Sequence, residues 1–368
     1  MARPKYFRTQ GKKIPLPLYF PDATRAVVRT LDSRDIENTK TPGVLVNTYH
    51  LFDEPGSRVI KKFGGVRKFM DWNGALISDS GGFQVMTLVK KMPGRGKITE
   101  KGVSFHPVNG KKIALTVEDS IRFQMLLGVD MVVAFDDITE QNITKEQAQE
   151  SVDRTVRWGK RSKDEFDKIC KEKGFTEADR PYLLGVVQGG DFPELRKECT
   201  QRLVEIGFDG LGYGGWPVGE LGNFNYEVGQ IMAENTPEDY LLFGLGIGKP
   251  HEIVTLFDVG FRIFDCVLPT RDARHKRLYV YNFDTIDEID VHSEKFYSYY
   301  VPDKERYYAD DAPVSTACDC LLCTNYSRAY LAHLFRINDV SAMRLATMHN
   351  LRFYSILMEK LRETLTKK

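Results

Sequence analysis

Residues 183–206 read LLGVVQGGDFPELRKECTQRLVEI, which is a short apolar run, a glycine turn and a longer mixed segment. Residues 183–188 have the length and the glycine boundary of a buried strand. Pro193 stands at a first-turn position, and residues 193–206 have the pattern of a helix. The stretch therefore predicts one strand followed by one helix, with Gln188 at the end of the strand.

The same pattern recurs through most of the sequence. Further short apolar runs span residues 43–47, 75–79, 131–136, 208–215, 241–246 and 263–265. Helical patterns between them span residues 118–127, 144–173 and 250–259. Strands that alternate with helices indicate parallel βαβ units. Because about seven such units occur in one chain, we expect an α/β fold with a closed (β/α)8 barrel rather than an open sheet.

Polar residues stand at the ends of several predicted strands, namely Asp79, Asp136, Gln188 and Asp265. In barrels of this kind the chemistry takes place at the C-terminal ends of the strands. A single aspartate after a strand is explained more simply as a helix N-cap. Since several polar residues hold equivalent positions, we predict that they share one site.

The composition is that of a globular protein with a large core. The chain has 368 residues, 42% of them hydrophobic, which suits a single barrel domain. No apolar run is long enough to span a membrane, and the N-terminus lacks the apolar segment of a signal peptide, so we expect a cytoplasmic protein. Because 52 basic residues balance 51 acidic ones, any nucleic-acid-binding surface must be a local patch.

Three regions are expected along the chain. Residues 1–283 should form the catalytic barrel with an N-terminal extension, and residues 313–368 a metal-binding subdomain with C-terminal helices. Residues 284–312 are acidic and tyrosine-rich, and they interrupt the strand–helix pattern. We expect an irregular insertion or connector there, and we favour a solvated loop with packed aromatics over a binding surface.

Cys318, Cys320 and Cys323 place three thiols within six residues. In a long chain expected to be intracellular, such density indicates a metal site rather than disulfides. A closed tetrahedral zinc site needs a fourth ligand, and spacing alone leaves His333 and His349 as alternatives. Because three thiolates leave no evident position for a water nucleophile, we expect one structural Zn²⁺ per chain.

The segment 78–85, SDSGGFQV, joins a predicted strand end to a glycine turn and an aromatic residue. Its glycines allow a ligand to approach the backbone closely, although a tight turn explains them equally well. Phe83 is suited to stack on a planar base, as aromatics do in base-extruding enzymes. Asp136 and Gln188 add donors and acceptors suited to the edge of a base.

A second aspartate, Asp265, precedes a local run of positive charge made by Arg271, Arg274, Lys276 and Arg277. This run is suited to hold a phosphate backbone beside the site, and the alternative is a solvated basic loop. Two carboxylates at one site allow substitution at an anomeric carbon, one as nucleophile and the other as general acid and base. The residues alone thus predict glycosyl transfer or hydrolysis in a barrel, with nucleic acid as a candidate substrate.

Together these motifs resemble the bacterial-type tRNA-guanine transglycosylase family, also called queuine tRNA-ribosyltransferases. The matching segments are residues 46–51, 78–85, 135–136, 187–190, 214–220, 246–250, 264–274 and 318–331, with His349 beyond them. Each motif alone is weak or moderate evidence. Their order, with the cysteine cluster at the end, is highly specific.

The resemblance implies a role for each site residue. Asp265 matches the nucleophile that attacks C1′ of the target guanosine, and Asp79 matches the general acid and base. The residues expected to bind the base are Phe83, Asp136, Gln188, Gly215, Trp216, Val218, Leu245 and Gly246. Arg271 and Arg274 match contacts to the tRNA anticodon loop, to which we add Lys276 and Arg277. His349 matches the fourth zinc ligand, and bacterial members of the family act as homodimers.

The implied reaction replaces guanine at the anticodon wobble position by a 7-deazaguanine, through a covalent aspartyl–ribose intermediate, in queuosine biosynthesis. Val218 matches a valine that is typical of enzymes taking the small aminomethyl base, preQ1, so we favour preQ1 over queuine. Ile138 partly favours queuine. Trp216-Pro217 and His275-Lys276 depart from the pairs that are usual in the family, Leu-Ala and Asn-Gly.

Three other functions compete with tRNA base exchange. A related transglycosylase acting on DNA is disfavoured by the match over residues 265–274 and by the complete metal cluster. A barrel glycosidase explains the carboxylates but not the glycine turns. A non-catalytic partner subunit is disfavoured because Asp79 and Asp265 are both present.

Overall fold

The computed structural model of the protein describes residues 3–91, 96–105, 113–217 and 223–366. Val218, which we predicted to border the base, lies outside the described residues.

The strands, in chain order, are β1 (Tyr6–Thr9), β2 (Lys12–Pro15), β3 (Leu18–Pro21), β4 (Gly43–Val46), β5 (Ala75–Ser78), β6 (Gly96–Thr99), β7 (Gly102–Phe105), β8 (Ile113–Thr116), β9 (Met131–Val133), β10 (Tyr182–Val187), β11 (Gly210–Tyr213), β12 (Leu241–Gly244), β13 (Ile263–Cys266), β14 (Leu278–Tyr281) and β15 (Tyr297–Tyr300).

The helices are α1 (Ser33–Asn38), α2 (Thr48–Asp53), α3 (Gly56–Phe63), α4 (Val66–Phe69), α5 (Gly82–Lys91), α6 (Val117–Leu127), α7 (Lys145–Lys173), α8 (Pro193–Ile206), α9 (Tyr226–Glu234), α10 (Pro250–Val259), α11 (Leu268–Arg274), α12 (Leu321–Asn325), α13 (Arg328–Arg336) and α14 (Val340–Thr366), with a 3-10 turn at Glu305–Tyr307. Among the described helices, none combines the length and the apolar character that crossing a membrane requires.

Eight parallel strands form the central sheet, in the order β3-β13-β12-β11-β10-β9-β5-β4. The two end strands meet, because Asp22 forms a parallel bridge with Leu45 and the Ala23 N–H donates to the Leu45 carbonyl at 2.7 Å. Helices follow the strands around the outside. The predicted (β/α)8 barrel is therefore confirmed.

Side chains from alternate strand positions fill the barrel interior. Leu184 and Val186 on β10 point inward together with Leu241 and Phe243 on β12, whereas the intervening residues pack against the helices. The hairpin of β1 and β2 covers the N-terminal end of the barrel through Phe7, which is fully buried. The C-terminal ends of the strands are thus left to form a site.

All seven predicted runs form strands of the barrel, but β3 was not predicted. Its four residues are all buried, so it shows no alternation of polar and apolar residues. Prolines stand at both ends, Pro17 and Pro21, and proline within a run argues against a strand in sequence-based prediction.

The tyrosine-rich region contains β15 and the 3-10 turn at Glu305–Tyr307. Strand β15 pairs antiparallel with β14, with Tyr281 opposite Tyr297 and Leu278 opposite Tyr300. This hairpin has one strand on each side of the boundary that we predicted at residue 283. The division of the chain into three regions stays a prediction.

Candidate active site and metal centre

A cavity of about 570 Å³ opens at the C-terminal ends of the barrel strands. The predicted site residues that line it are Asp79, Phe83, Asp136, Gly215, Trp216, Leu245, Gly246, Asp265 and Arg271. Gln188 is fully buried and reaches the cavity through its hydrogen bond to Asp136. The structure therefore brings together the predicted catalytic and base-binding residues that it describes.

Asp79 follows β5 and accepts hydrogen bonds from several donors. The backbone N–H groups of Thr48 and Gly81 donate to Oδ1 at 2.9 and 3.1 Å. The side-chain amides of Gln84 and Asn47 donate to Oδ2. Burial outweighs these bonds and raises the pKa of Asp79 to about 7. A carboxyl with this pKa can both give and take a proton near neutral pH.

Two neighbours of Asp79 are held in place by the backbone. Asn47 caps α2, because its Oδ1 accepts from the His50 N–H at 3.0 Å, and this turns its NH2 group toward Asp79. Gly81 has φ +75°, and a Cβ there would lie 2.9 Å from the backbone nitrogen of Tyr49. Glycine is therefore required at the turn that places Asp79.

Asp265 lies in β13, and its Oδ1 accepts from the Gly246 N–H at 2.9 Å. Its Oδ2 has no hydrogen-bond donor among the described residues. Burial, with smaller contributions from the charges of Asp22 and Asp79, raises the pKa of Asp265 to about 7. The cavity thus holds a carboxyl group with one oxygen free to react.

Asp136 and Gln188 form a pair across the ends of β9 and β10. Gln188 Nε2 donates to Asp136 Oδ2 at 2.7 Å, whereas the buried Gln188 Oε1 has no hydrogen-bond partner. Burial raises the pKa of Asp136 to about 7. An unpaired buried acceptor is costly, so this oxygen is a strong candidate to receive an N–H of a ligand.

Two aromatic side chains, Phe83 and Trp216, line the cavity, and both are partly exposed to solvent. Phe83 is 42% exposed and Trp216 is 43% exposed, and their ring centroids lie 6.2 Å apart in an edge-to-face arrangement. The Trp216 indole N–H donates to the Thr139 carbonyl at 3.0 Å. Large apolar rings kept at an open cavity suit a flat ligand.

Several residues of the cavity were missed in the sequence analysis. Asp22, Thr24, Asn47 and His50 all line it. Burial raises the pKa of Asp22, to which the Thr24 hydroxyl donates at 2.6 Å. Burial lowers the pKa of His50, and the positive charge of Arg25 lowers it further. Asp22 and Thr24 follow β3, so the failure to predict that strand hid them.

The predicted basic residues occupy different environments. Arg271 is exposed at the cavity, and Arg274 is half-buried with its guanidinium donating to the Thr270 carbonyl at 2.8 Å. Lys276 forms an ion pair with Asp303 at 3.0 Å, outside the cavity lining.

Arg277 is also outside the cavity, with its guanidinium 5.1 Å from the Tyr299 ring centroid. Two exposed arginines that the sequence analysis did not single out, Arg25 and Arg29, follow β3. Burial and then the charge of Arg29 lower the pKa of Arg274, so these two guanidinium groups belong to one basic surface.

The predicted metal ligands converge outside the barrel. The ligand atoms of Cys318, Cys320, Cys323 and His349 all lie within 4.8 Å of one another. The distances from His349 Nδ1 to the three sulfurs are 3.7, 3.5 and 3.2 Å. Ligands of one tetrahedral zinc ion are expected about 3.5 Å apart, so the cluster fits such an ion. The choice of His349 over His333 is confirmed.

The second nitrogen of His349 fixes the ring for metal binding. Nε2 lies 2.7 Å from the backbone carbonyl of Tyr279, which can only accept, so Nε2 donates to it and Nδ1 is the nitrogen that faces the sulfurs. Asp319, between two of the cysteines, pairs with the buried Arg352 and with Lys40. The cluster is thus supported by a surrounding set of hydrogen bonds, as structural metal sites are.

Comparison with known proteins agrees with this site. A family model described as Queuine tRNA-ribosyltransferase matches residues 1–368. A queuine tRNA-ribosyltransferase from Shewanella sp. (strain W3-18-1) is 38% identical over 347 residues, which are 94% of this chain and 86% of that protein. Another, from Thermoanaerobacter pseudethanolicus, is 36% identical over 366 residues, which are 99% of this chain and 90% of that protein. The chain therefore belongs to the queuine tRNA-ribosyltransferase family.

Proposed function

We propose that this enzyme exchanges a guanine base in tRNA for a 7-deazaguanine, at the wobble position of the anticodon, as a step of queuosine biosynthesis. The observation that carries the proposal is that Asp79 and Asp265 line one cavity together with Asp136, which forms a hydrogen-bonded pair with Gln188 whose polar groups suit the edge of a base. The names of the relatives support the same pentosyl transfer.

Asp265 is the proposed nucleophile because its Oδ2 accepts no hydrogen bond from the described residues and is therefore available to attack C1′. Its carboxylate forms a bond to C1′ while the bond from C1′ to the guanine nitrogen breaks, and the protonated Asp79 supplies the proton that the leaving base takes up. The incoming base then gives a proton to Asp79, and its nitrogen displaces Asp265 from C1′. The covalent aspartyl–ribose intermediate keeps the ribose in place while the bases exchange.

The electrostatics of the pair support this division of roles. Burial is the main cause that raises the pKa of Asp265, and the charges of Asp22 and then Asp79 add to it, so ionisation of Asp265 is less favourable while Asp79 is also ionised. A state in which only one of the two carboxyls is ionised provides a nucleophile and an acid together. The acidic and basic forms of both groups are accessible near neutral pH, since both have a pKa of about 7.

The base is proposed to lie between Phe83 and Leu245, with its polar edge at Asp136, Gln188 and Gly215. The unpartnered Gln188 Oε1 supports this placement, because a guanine or deazaguanine edge brings N–H donors to it. Trp216, Val218 and Gly246 are proposed to border the rest of the base. We retain preQ1 as the favoured incoming base on the sequence argument from Val218.

The metal site is proposed to hold one structural Zn²⁺. Three thiolates and one imidazole would close its coordination, so it would supply folding energy and no open position for chemistry. Because these thiols must stay reduced, we propose a cytoplasmic location.

A tRNA anticodon loop is proposed to lie over the basic surface around the cavity. Arg271 and Arg274 stand nearest to it, while Lys276 and Arg277 would contact more distant phosphates. We also propose a homodimer. Exposed apolar residues on α13, just after it and at the start of α14, including Tyr330, Ile337 and the 80% exposed Val340, are suited to an interface.

Radiolabelled guanine offered with unmodified tRNA tests the function. We expect label in tRNA and none in DNA, and no label with Asp265→Asn, which keeps an oxygen to accept from Gly246. Label in DNA would favour a DNA transglycosylase, and release of sugar from simple glycosides would favour a glycosidase. No incorporation by a correctly folded protein would favour a non-catalytic partner subunit.

A further inference from the structure

Arg196 on α8 is a buried arginine that lies next to Gln188 and Gly215, two residues proposed to bind the polar edge of the base. Its side chain is 1% exposed, and its guanidinium donates to backbone carbonyls rather than to a carboxylate. Nε donates to the Gly190 carbonyl at 2.7 Å, and Nη1 donates to the carbonyls of Val187 and Gly214, both at 2.8 Å. One side chain therefore ties together the ends of β10 and β11.

The three carbonyls belong to the segments that carry the recognition groups. Val187 and Gly190 flank Gln188, and Gly214 precedes Gly215. The guanidinium also lies close to Gly215, since a Cβ added there would be 3.2 Å from Nη2 and 3.2 Å from Gln188 Oε1. Arg196 is thus bonded to both of the segments that carry Gln188 and Gly215.

The two segments contain glycines, which allow many backbone conformations. Contacts from other residues are therefore needed to fix the segments in one conformation. Gly189 and Gly190 have φ +139° and +58°, and Gly215 has φ +77°. Glycines with positive φ allow a ligand to approach the backbone, but they restrict the chain less than other residues do. A rigid planar donor that bonds to both segments compensates for this freedom.

Burial of this charge costs free energy, and no carboxylate among the described residues compensates it with a hydrogen bond. The Tyr213 ring is also near, 5.3 Å from Cζ to the centroid. An apolar side chain at this position would leave the three carbonyls without their donor. The contribution of Arg196 therefore lies in the carbonyls that it holds.

We propose that Arg196 is a positioning residue that sets the spacing of the base-recognition groups on Gln188 and Gly215. The proposal rests on the proposed function, because it assumes that the cavity binds a purine-like base. Arg196 does not touch the base, and it acts through the carbonyls that it holds.

Arg262 provides a matched control at the opposite end of the barrel. It is 7% exposed, donates to the carbonyls of Phe257 and Phe261 at 2.7 and 2.8 Å, and stacks on the Phe257 ring. It therefore has the same kind of partners as Arg196 without any link to the cavity. Substitutions at the two positions separate loss of stability from loss of recognition.

The experiment compares Arg196→Met, Arg196→Lys and Arg262→Met. We expect Arg196→Met to raise the KM for guanine about tenfold, as the loss of about one hydrogen bond to the base would do, with the KM for tRNA unchanged. Arg196→Lys should show a smaller rise, and Arg262→Met should lower the Tm without changing the KM for guanine. A KM for guanine within twofold of wild type in Arg196→Met, or an equal rise in Arg262→Met, would overturn the proposal.

Guanine binding followed by the fluorescence of Trp216 gives a readout without turnover, because this ring lines the cavity. The affinity should fall in Arg196→Lys even if Arg196→Met does not fold. Unchanged binding in Arg196→Lys, together with unchanged KM, would count against the proposal. Wild-type enzyme that exchanges no guanine would instead refute the proposed function, so the two failures are distinguishable.

Discussion

The side-chain amide of Asn350 donates a hydrogen bond of 2.9 Å to the backbone carbonyl of Pro269. The same amide donates to the Arg277 carbonyl at 3.0 Å, and its oxygen accepts from the Tyr279 N–H at 3.0 Å. Asn350 directly follows the metal ligand His349 on α14. One residue of the metal-bearing helix therefore holds both ends of the basic segment 269–277.

Loss of the metal should consequently weaken tRNA binding more than base binding. We expect one zinc ion per chain, and we expect chelation or Cys320→Ser to lower the Tm strongly, because structural zinc contributes on the order of 10 kcal/mol to folding. At temperatures where the protein stays folded, the Kd for tRNA should rise while guanine binding changes little. Metal analysis, thermal melts and the two binding assays measure these effects.

Cys170→Ser is the control for that experiment, since Cys170 is a buried thiol on α7 outside the cluster. It should retain the metal and tRNA affinity. Purified protein without metal, and a Tm that Cys320→Ser leaves unchanged, would show that the metal assignment is wrong.

Asp265→Ala should bind tRNA and form no covalent adduct. The variant lacks the carboxylate that we propose to attack C1′, but it keeps the basic surface that we propose to bind the anticodon loop. Denaturing gel electrophoresis after incubation with tRNA measures the adduct, and a filter-binding assay measures affinity. Asp79→Asn serves as the comparison, because it removes the acid and keeps the nucleophile. An adduct that persists in Asp265→Ala would transfer the nucleophile to another residue, with Asp79 the first candidate.

The pH dependence of base exchange should be bell-shaped with its maximum near pH 7. Burial raises the pKa of both Asp79 and Asp265 to about 7. Activity should rise with pH as the nucleophile ionises, and it should fall at higher pH as the proton donor is lost. The apparent values belong to the coupled pair rather than to either residue. A rate that is flat from pH 5 to 9 would contradict these roles.

The same pKa of Asp265 predicts a stability effect. Its pKa in the folded protein is raised above the ordinary value of 3.8, so its contribution to stability is fully present below pH 3.8 and is lost as the pH rises toward 7. Asp265→Asn cannot ionise, so its Tm should exceed that of wild type by more at pH 8 than at pH 4. Calorimetry at both values checks this. A Tm difference that is the same at both values would mean that the carboxyl is solvated like an ordinary aspartate.

The sequence predicted the parts of the site that lie within single motifs, and it missed those that depend on contacts between distant segments. Asp79, Asp136, Gln188 and Asp265 stand at the ends of short apolar runs, and these runs located them. Asp22 escaped because prolines stand at both ends of β3, and proline within an apolar run argues against a strand.

Other features could not have been predicted from a local pattern. Lys276, which we predicted to contact tRNA, forms an ion pair with Asp303, which is 27 positions away. Asn47 was predicted at the end of a strand, yet its double role as helix cap and donor to Asp79 depends on a residue 32 positions away. The roles of such residues depend on contacts between segments that are distant in sequence, and these contacts form only when the barrel folds.

Arg25 and Arg29 should contribute to tRNA binding although they lie outside the predicted basic run. Both are exposed, and their charges act on His50 and Arg274 at the site. Replacing both by alanine should weaken tRNA binding and reduce the slope of log Kd against log salt by about one per arginine. Titrations at several salt concentrations measure the slope, and guanine binding should stay unchanged.

Arg34→Ala is the matched control, because Arg34 is an exposed arginine that pairs with Glu37 and Asp71. It should leave the salt slope unchanged. Equal effects of Arg34→Ala and of the double substitution would indicate only a general loss of positive charge.

The aminomethyl base preQ1 should be incorporated in preference to queuine. The resemblance aligns Val218 with a valine that is typical of enzymes taking preQ1, and we propose that this branched side chain limits the room for the bulkier queuine. Ile138, which lines the cavity, partly opposes this choice. Pro217 has no backbone N–H to donate, but a lost hydrogen bond costs only about 1–3 kcal/mol. Competition between equal amounts of the two bases on guanine-containing tRNA measures the preference. The product should be mainly the preQ1 form, and Val218→Gly should raise the queuine fraction. Preferential queuine incorporation by the wild type, with little effect of Val218→Gly, would show that the pocket wall is set elsewhere.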